Sequence, residues 1–225
     1  DWNLWGISVE CGILEDPWNE PPEDAYQITS SPDKAPAAPQ YITISFNKGI
    51  PVALDGKKVS SLDLVEKLTL LGGKHGIGRI DMVEDRLVGI KSREIYEAPA
   101  AVILHAAHNE LEKLVFSRDM YEFKKIISQR YSQLVYFGQW FSHIKNCLDS
   151  FVDKSQEFVT GEVRVKLHRG NCSVVGRKSP YSLYSETLAT YTDKDMFDHK
   201  ASDGFLEIFG LPSKLEGARE RKKKI

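Results

Sequence analysis

Between Gly73 and Ala101 the chain interleaves glycines, apolar residues and charges too densely for an ordinary loop, and this stretch constrains the fold more than any other. Just before it, Leu62, Val65, Leu68 and Leu71 follow a candidate N-cap at Ser61 with helical spacing, and Gly72-Gly73 is expected to stop that helix. Arg79 to Val83 and Leu87 to Ser92 then read as two strands joined by a polar turn at Glu84-Asp-Arg86. That reading puts Glu84 at a strand end, where a side chain is held rigidly and stays accessible. From Ala100 the pattern turns helical and runs, with breaks, to about Gln156; Phe123, Ile126, Ile127, Tyr131, Leu134, Val135 and Gly138 share one face.

On either side of this stretch the strands come in hairpins. Tyr41 to Phe46 alternates, Asn47-Lys-Gly49 turns the chain, and Ile50 to Leu54 returns before a second turn at Asp55-Gly56. Gly161 to His168 and Cys172 to Arg177 form the same pattern around Arg169-Gly-Asn171. Pro17, Pro21, Pro22, Pro32, Pro36 and Pro39 exclude helix and central strand from residues 15–40, so an extended surface crossing is expected there. Strands in hairpins and helices in a block argue for α+β: antiparallel strands packed with a helical block, ending in a C-terminal helical arm rich in Lys and Arg. No internal repeat is visible.

Composition narrows the function classes. The 225 residues carry ample apolar content for a core, and their formal charge of -2 calls for no polyanionic partner, so nucleic acid is not expected. Cys11, Cys147 and Cys172 are odd in number, widely spaced and without a CxxC pair, which fits reduced cytoplasmic thiols better than a disulfide framework or a zinc site. Apolar runs such as Ala98 to Ala107 are too short to cross a bilayer, so no membrane association is expected. The chain opens on Asp1 and enters a structured segment at once, as at a cut or an internal boundary.

Several motifs have a plain structural reading beside a chemical one. Gly73-Lys-His-Gly-Ile-Gly78 could cradle a phosphate with Lys74 adding charge, but it matches no nucleotide-loop spacing, and a helix stop with a tight turn is favoured. Glu84 and Tyr96, twelve residues apart near Lys91, Ser92 and Arg93, read by spacing alone as a surface charge network. His105 and His108 stand at i, i+3 on a helix, yet no carboxylate or Cys completes a ligand set, so no metal site is expected. Ser179 to Ser185 offers hydroxyls on a turn with two aromatic anchors, read as packing or subunit contact. The basic run from Arg219 to Lys224 reads as a solvated helix end whose cations suit the C-terminal dipole.

Three segments together, Trp2 to Pro17, Gly73 to Pro99 and Ser179 to Tyr184, closely resemble argininosuccinate synthases, and the likeness covers essentially the whole chain. It corresponds to the family's C-terminal synthetase and multimerisation region, here residues 1–211, with residues 212–225 as an oligomerisation arm. The resemblance implies that Ser8, Glu84 and Tyr96 contact citrulline, in a positioning role, with no general base or other catalytic side chain in this region. It further implies an ATP-dependent ligation of citrulline and aspartate to argininosuccinate, with release of pyrophosphate and AMP. ATP and Mg²⁺ would be held mainly by an N-terminal domain whose Ser-Gly-Gly-x-Asp-Thr-Ser loop these residues lack. A cytoplasmic homotetramer, inactive as this region alone, is the implied setting. Two rivals are a non-catalytic oligomerisation module derived from the synthase, and a substrate-binding half whose ATP domain is a separate chain.

Overall fold

The computed structural model describes residues 1–190 and 198–223. Two short strands open the chain, β1 (Trp2–Asn3) and β2 (Gly6–Val9), paired antiparallel with Trp2 opposite Ile7. The proline-rich crossing follows as expected, its regular structure limited to the 3-10 turns Gly12–Glu15 and Glu23–Ala25. The first hairpin forms from β3 (Gln40–Asn47) and β4 (Ile50–Leu54), turned by Lys48 and Gly49 in the left-handed region. A two-residue edge strand, β5 (Lys57–Lys58), follows the Asp55-Gly56 turn.

Helix α1 (Ser61–Lys74) corrects both expected ends. Its N-cap is Ser60, one residue earlier, whose hydroxyl accepts the Asp63 amide at 3.1 Å. Gly72 and Gly73 lie inside the helix and are buried. A Cβ on Gly72 would stand 2.8 Å from the Pro99 Cβ, and one on Gly73 would stand 2.3 Å from the Ile28 carbonyl oxygen. These glycines therefore serve close approach of neighbouring chain, and the helix ends one residue later at Lys74, ahead of Gly76 with a φ of 71°.

The next hairpin is displaced from its expected register. β6 (Arg79–Asp85) is longer, β7 (Lys91–Glu97) begins later, and the turn is Arg86–Ile90, closed by an Arg86 amide bond to the Ile90 carbonyl at 2.9 Å. Gly89 at φ 79° permits that turn. Leu87, Val88 and Ile90, which look like strand residues, sit exposed at its tip. Glu84 is thus the penultimate residue of β6, opposite Ser92.

The helical block comprises α2 (Pro99–Val115), α3 (Arg118–Tyr136) and α4 (His143–Ser155). On α3 the apolar face is mostly uncovered: Leu134 is buried, but Phe123 and Ile126 are 51% and 63% exposed. The second expected hairpin is β8 (Gly161–His168) with β9 (Asn171–Lys178), turned at Arg169 and Gly170. Among the described residues all strand pairs are antiparallel, in two sheets ordered β1-β2-β7-β6 and β5-β4-β3-β8-β9. The expected α+β class is therefore the observed one. Ile42, Ile44, Val163, Val165 and Leu167 of the larger sheet form the core with Leu64 and Leu68 of α1 and Ile103 and Leu111 of α2.

Residues 1–183 form one compact unit, and a second begins at Tyr184. The second contains α5 (Glu186–Ala189), α6 (Lys200–Phe209) and α7 (Leu211–Lys222). Arg219, Arg221 and Lys222 occupy the last turn of α7; Lys224, the end of the basic run, lies outside the described residues.

Candidate functional site

β7 is a central strand of the smaller sheet, flanked by β2 and β6, and this position gathers the site. Pairing sets Ser8 and Ile80 opposite Tyr96, Met82 opposite Glu94, and Glu84 opposite Ser92. Since side chains alternate along a strand, Ser8, Glu84, Glu94 and Tyr96 share one face. They line one open groove of about 330 Å³, which Asp1, Asn3 and Trp5 also line. All three residues singled out in the sequence, Ser8, Glu84 and Tyr96, are thus brought together.

The phenol of Tyr96 spans the face. Its Oη lies 3.0 Å from Glu84 Oε2 and 3.0 Å from Glu94 Oε2. Burial first, then these two carboxylates, push its ionisation well above the ordinary phenol range. Tyr96 therefore stays a neutral hydroxyl that both donates and accepts. Sequence reasoning missed Glu94; its place two residues before Tyr96 in a strand was the available signal.

Lys91 and Arg93, by contrast, belong to other contacts. Arg93 holds Asp81 through two bonds of 2.8 and 2.7 Å and reaches the Asp16 carbonyl at 3.0 Å, while Lys91 pairs with Asp85. The Ser92 hydroxyl is buried without a hydrogen-bond partner.

On the opposite face of β7, Glu97 anchors the proline-rich crossing. Its carboxylate accepts the amides of Gln27, Ile28 and Thr29 at 2.7, 3.0 and 2.8 Å, and the Thr29 hydroxyl at 2.5 Å. Four donors make a 1% exposed carboxylate tolerable. Arg79 continues the network, donating to Thr29 and bidentately to Glu23 while its guanidinium lies 3.9 Å over the Tyr26 ring.

The Gly73–Gly78 loop does not present amides to a ligand. His75 and Ile77 are buried, and the amides of 75, 76 and 77 bond back to Gly72 and Gly73. This is the tight turn expected in place of a phosphate cradle. His108 is absorbed in a side-chain network: its Nε2 meets Gln156 Oε1 at 2.9 Å, Gln156 donates to Glu112 at 2.8 Å, and Lys124 pairs with Glu112 at 2.8 Å. Burial holds the His108 imidazole below its usual range. No three His, Cys, Asp or Glu side chains among the described residues gather as a metal-ligand set. Around Ser179 the contacts are those of packing: its hydroxyl donates to the Thr160 carbonyl at 2.6 Å, and Tyr181 meets Phe158 edge-on. No helix among the described residues is long and apolar enough to cross a membrane.

A family model described as the arginosuccinate synthase C-terminal domain matches residues 1–216. The argininosuccinate synthase of Chlorobium chlorochromatii (strain CaD3) is 57% identical over 211 residues, covering 94% of this chain and 53% of that protein. That of Pelodictyon phaeoclathratiforme is 59% identical over 211 residues, with the same coverage of both. That of Chlorobium limicola is 58% identical over 214 residues, 95% of this chain and 54% of the relative. The chain therefore spans about half the length of these curated relatives.

Proposed function

Because the chain belongs to the argininosuccinate synthase family, matching its C-terminal domain, we propose that it is the half of that ligase which positions citrulline and builds the assembled enzyme. The observation that carries this reading is the groove itself, in which Ser8, Glu84 and Tyr96 converge from three strands onto one face. A zwitterion with a ureido tail needs carboxylate acceptors and a hydroxyl that donates and accepts, and these side chains supply both.

In the proposed reaction the citrulline ureido oxygen attacks the α-phosphorus of ATP, pyrophosphate leaves, and the aspartate amine displaces AMP to give argininosuccinate. The contribution of Ser8, Glu84 and Tyr96 is orientation of citrulline for in-line attack, and none of them moves a proton. Mg²⁺ enters with ATP as its substrate complex. No three His, Cys, Asp or Glu side chains among the described residues gather to hold it.

The reading includes a homotetramer in the cytoplasm. Phe205, Ile208 and Phe209 of α6 are 61%, 71% and 72% exposed, apolar surface that supports burial against another copy. Three free thiols support a reducing compartment.

The test is argininosuccinate formation from citrulline, aspartate and Mg-ATP by this chain alone and by the same chain joined to the upstream half of its relatives. Activity in the joined form only is expected. Inactivity in both would replace this reading with a non-catalytic oligomerisation module.

A further inference from the structure

The arrangement around Tyr96 is electrically incomplete. One phenolic proton serves one acceptor at a time, yet two carboxylate oxygens, from Glu84 and Glu94, stand 3.0 Å from the same Oη. One of the two close oxygen pairs is therefore without a proton at any moment.

No side chain of the groove relieves this. Its lining contains Asp1, Glu84, Glu94 and Glu97, the last with its carboxylate bonded to the crossing, but no Lys, Arg or His. Of the hairpin's cations, Arg79 pairs with Glu23, Lys91 with Asp85 and Arg93 with Asp81, while Arg86 lines a different groove with Glu10 and Glu15. Like charges held close in a partly buried site repel, and an external cation removes that cost.

Resting on the citrulline reading above, we propose that Glu94 is a further substrate ligand, which together with Glu84 and Tyr96 Oη receives the α-ammonium of the amino acid. An ammonium carries three N–H donors, and the two carboxylates with the phenol lone pair offer three acceptors on one face of the sheet. A neutral ureido group also donates, but it cannot neutralise the paired carboxylates. The charge of the groove thus selects the ammonium end of the substrate and directs the ureido end away from β7. Glu94 makes the site specific for an unmodified α-amino acid.

The experiment uses the full-length enzyme, with its upstream half, and compares wild type with Glu94→Gln. The KM for citrulline should rise about tenfold or more, the loss expected for one charged hydrogen bond, with KM for ATP within about twofold. The inhibition constant of 5-ureidopentanoate, citrulline without its amino group, should stay within about twofold, because that ligand presents no ammonium to lose. An unchanged citrulline KM overturns the assignment, and so does an equal rise for citrulline and the deamino analogue, since Glu94 would then shape the groove without meeting the ammonium. If Glu94→Gln unfolds, Glu94→Asp takes its place: retained charge should keep citrulline favoured over the analogue, and loss of that preference counts against the proposal. A wild-type enzyme that forms no argininosuccinate refutes the underlying reading separately.

Discussion

Tyr96 Oη lies 3.0 Å from Glu84 Oε2 although the two residues are twelve positions apart and on different strands. They meet because antiparallel pairing sets Ile80 opposite Tyr96 and Glu84 opposite Ser92, so a long phenol reaches diagonally along the face to the penultimate residue of β6. On the citrulline reading proposed above, Glu84→Gln in the chain joined to the upstream half of its relatives should weaken citrulline by about 1 to 3 kcal/mol and ATP far less. Steady-state KM values for both substrates check this. Equal effects on the two would make Glu84 a structural residue.

Gly6 opens β2, two residues before Ser8. A Cβ there would lie 2.0 Å from the Glu97 carbonyl oxygen, a backbone atom that cannot swing aside. Gly6→Ala should push β2 off β7 and cost about 1 to 3 kcal/mol. Urea unfolding reads the loss, and wild-type stability in the variant would show that the strands are not held this closely.

Glu97 holds three backbone amides and a hydroxyl of the crossing. Glu97→Gln replaces one acceptor oxygen with an NH₂ that faces those same donors. A loss of about 3 kcal/mol is expected, from the charged bonds removed and the donors left unpaired. A denaturant midpoint within error of wild type would argue against the anchor.

Burial pushes the Cys172 thiol up to about 11. At pH 8 about one thiol in a thousand is then ionised, whereas Cys11 and Cys147 are exposed. A colorimetric disulfide reagent should titrate two thiols quickly and the third slowly, with the slow rate rising about tenfold per pH unit toward 11. Three fast thiols in the folded chain would contradict the packing of β9.

Hydrogen bonds from Arg93 hold the Asp81 carboxyl below its ordinary value of 3.8. The folded value is the lower one, so the contribution to stability is present above 3.8 and is lost as pH falls through the depressed folded value. Asp81→Asn should therefore be less stable than wild type near neutrality, with the gap closing in acid. Parallel stability curves for the two proteins through that window would remove Asp81 from the linkage.

Elements built from local pattern were legible, because their causes lie within a few residues. The hairpins around Lys48-Gly49 and Arg169-Gly170 stand where alternation and turn residues placed them. So does the span of the helical block from Pro99 to Ser155. The hairpin of the site was misplaced because Leu87, Val88 and Ile90 have strand-like character but project into solvent at a turn that Gly89 permits.

Ser8, Glu84 and Tyr96 were identified through family likeness; their meeting on one groove is a matter of register, and Glu94 joins them by the same period of two. Sequence alone determined which segments alternate, which coil and where prolines forbid both, since those follow from side-chain period and backbone dihedrals. Only the tertiary structure decided that Gly72 and Gly73 lie inside a helix against Pro99 and Ile28, that Glu97 binds a loop some seventy residues earlier, and that two carboxylates crowd one phenol. Each of these depends on close approach between residues far apart in the chain, and contact at that range is created by packing rather than by local preference.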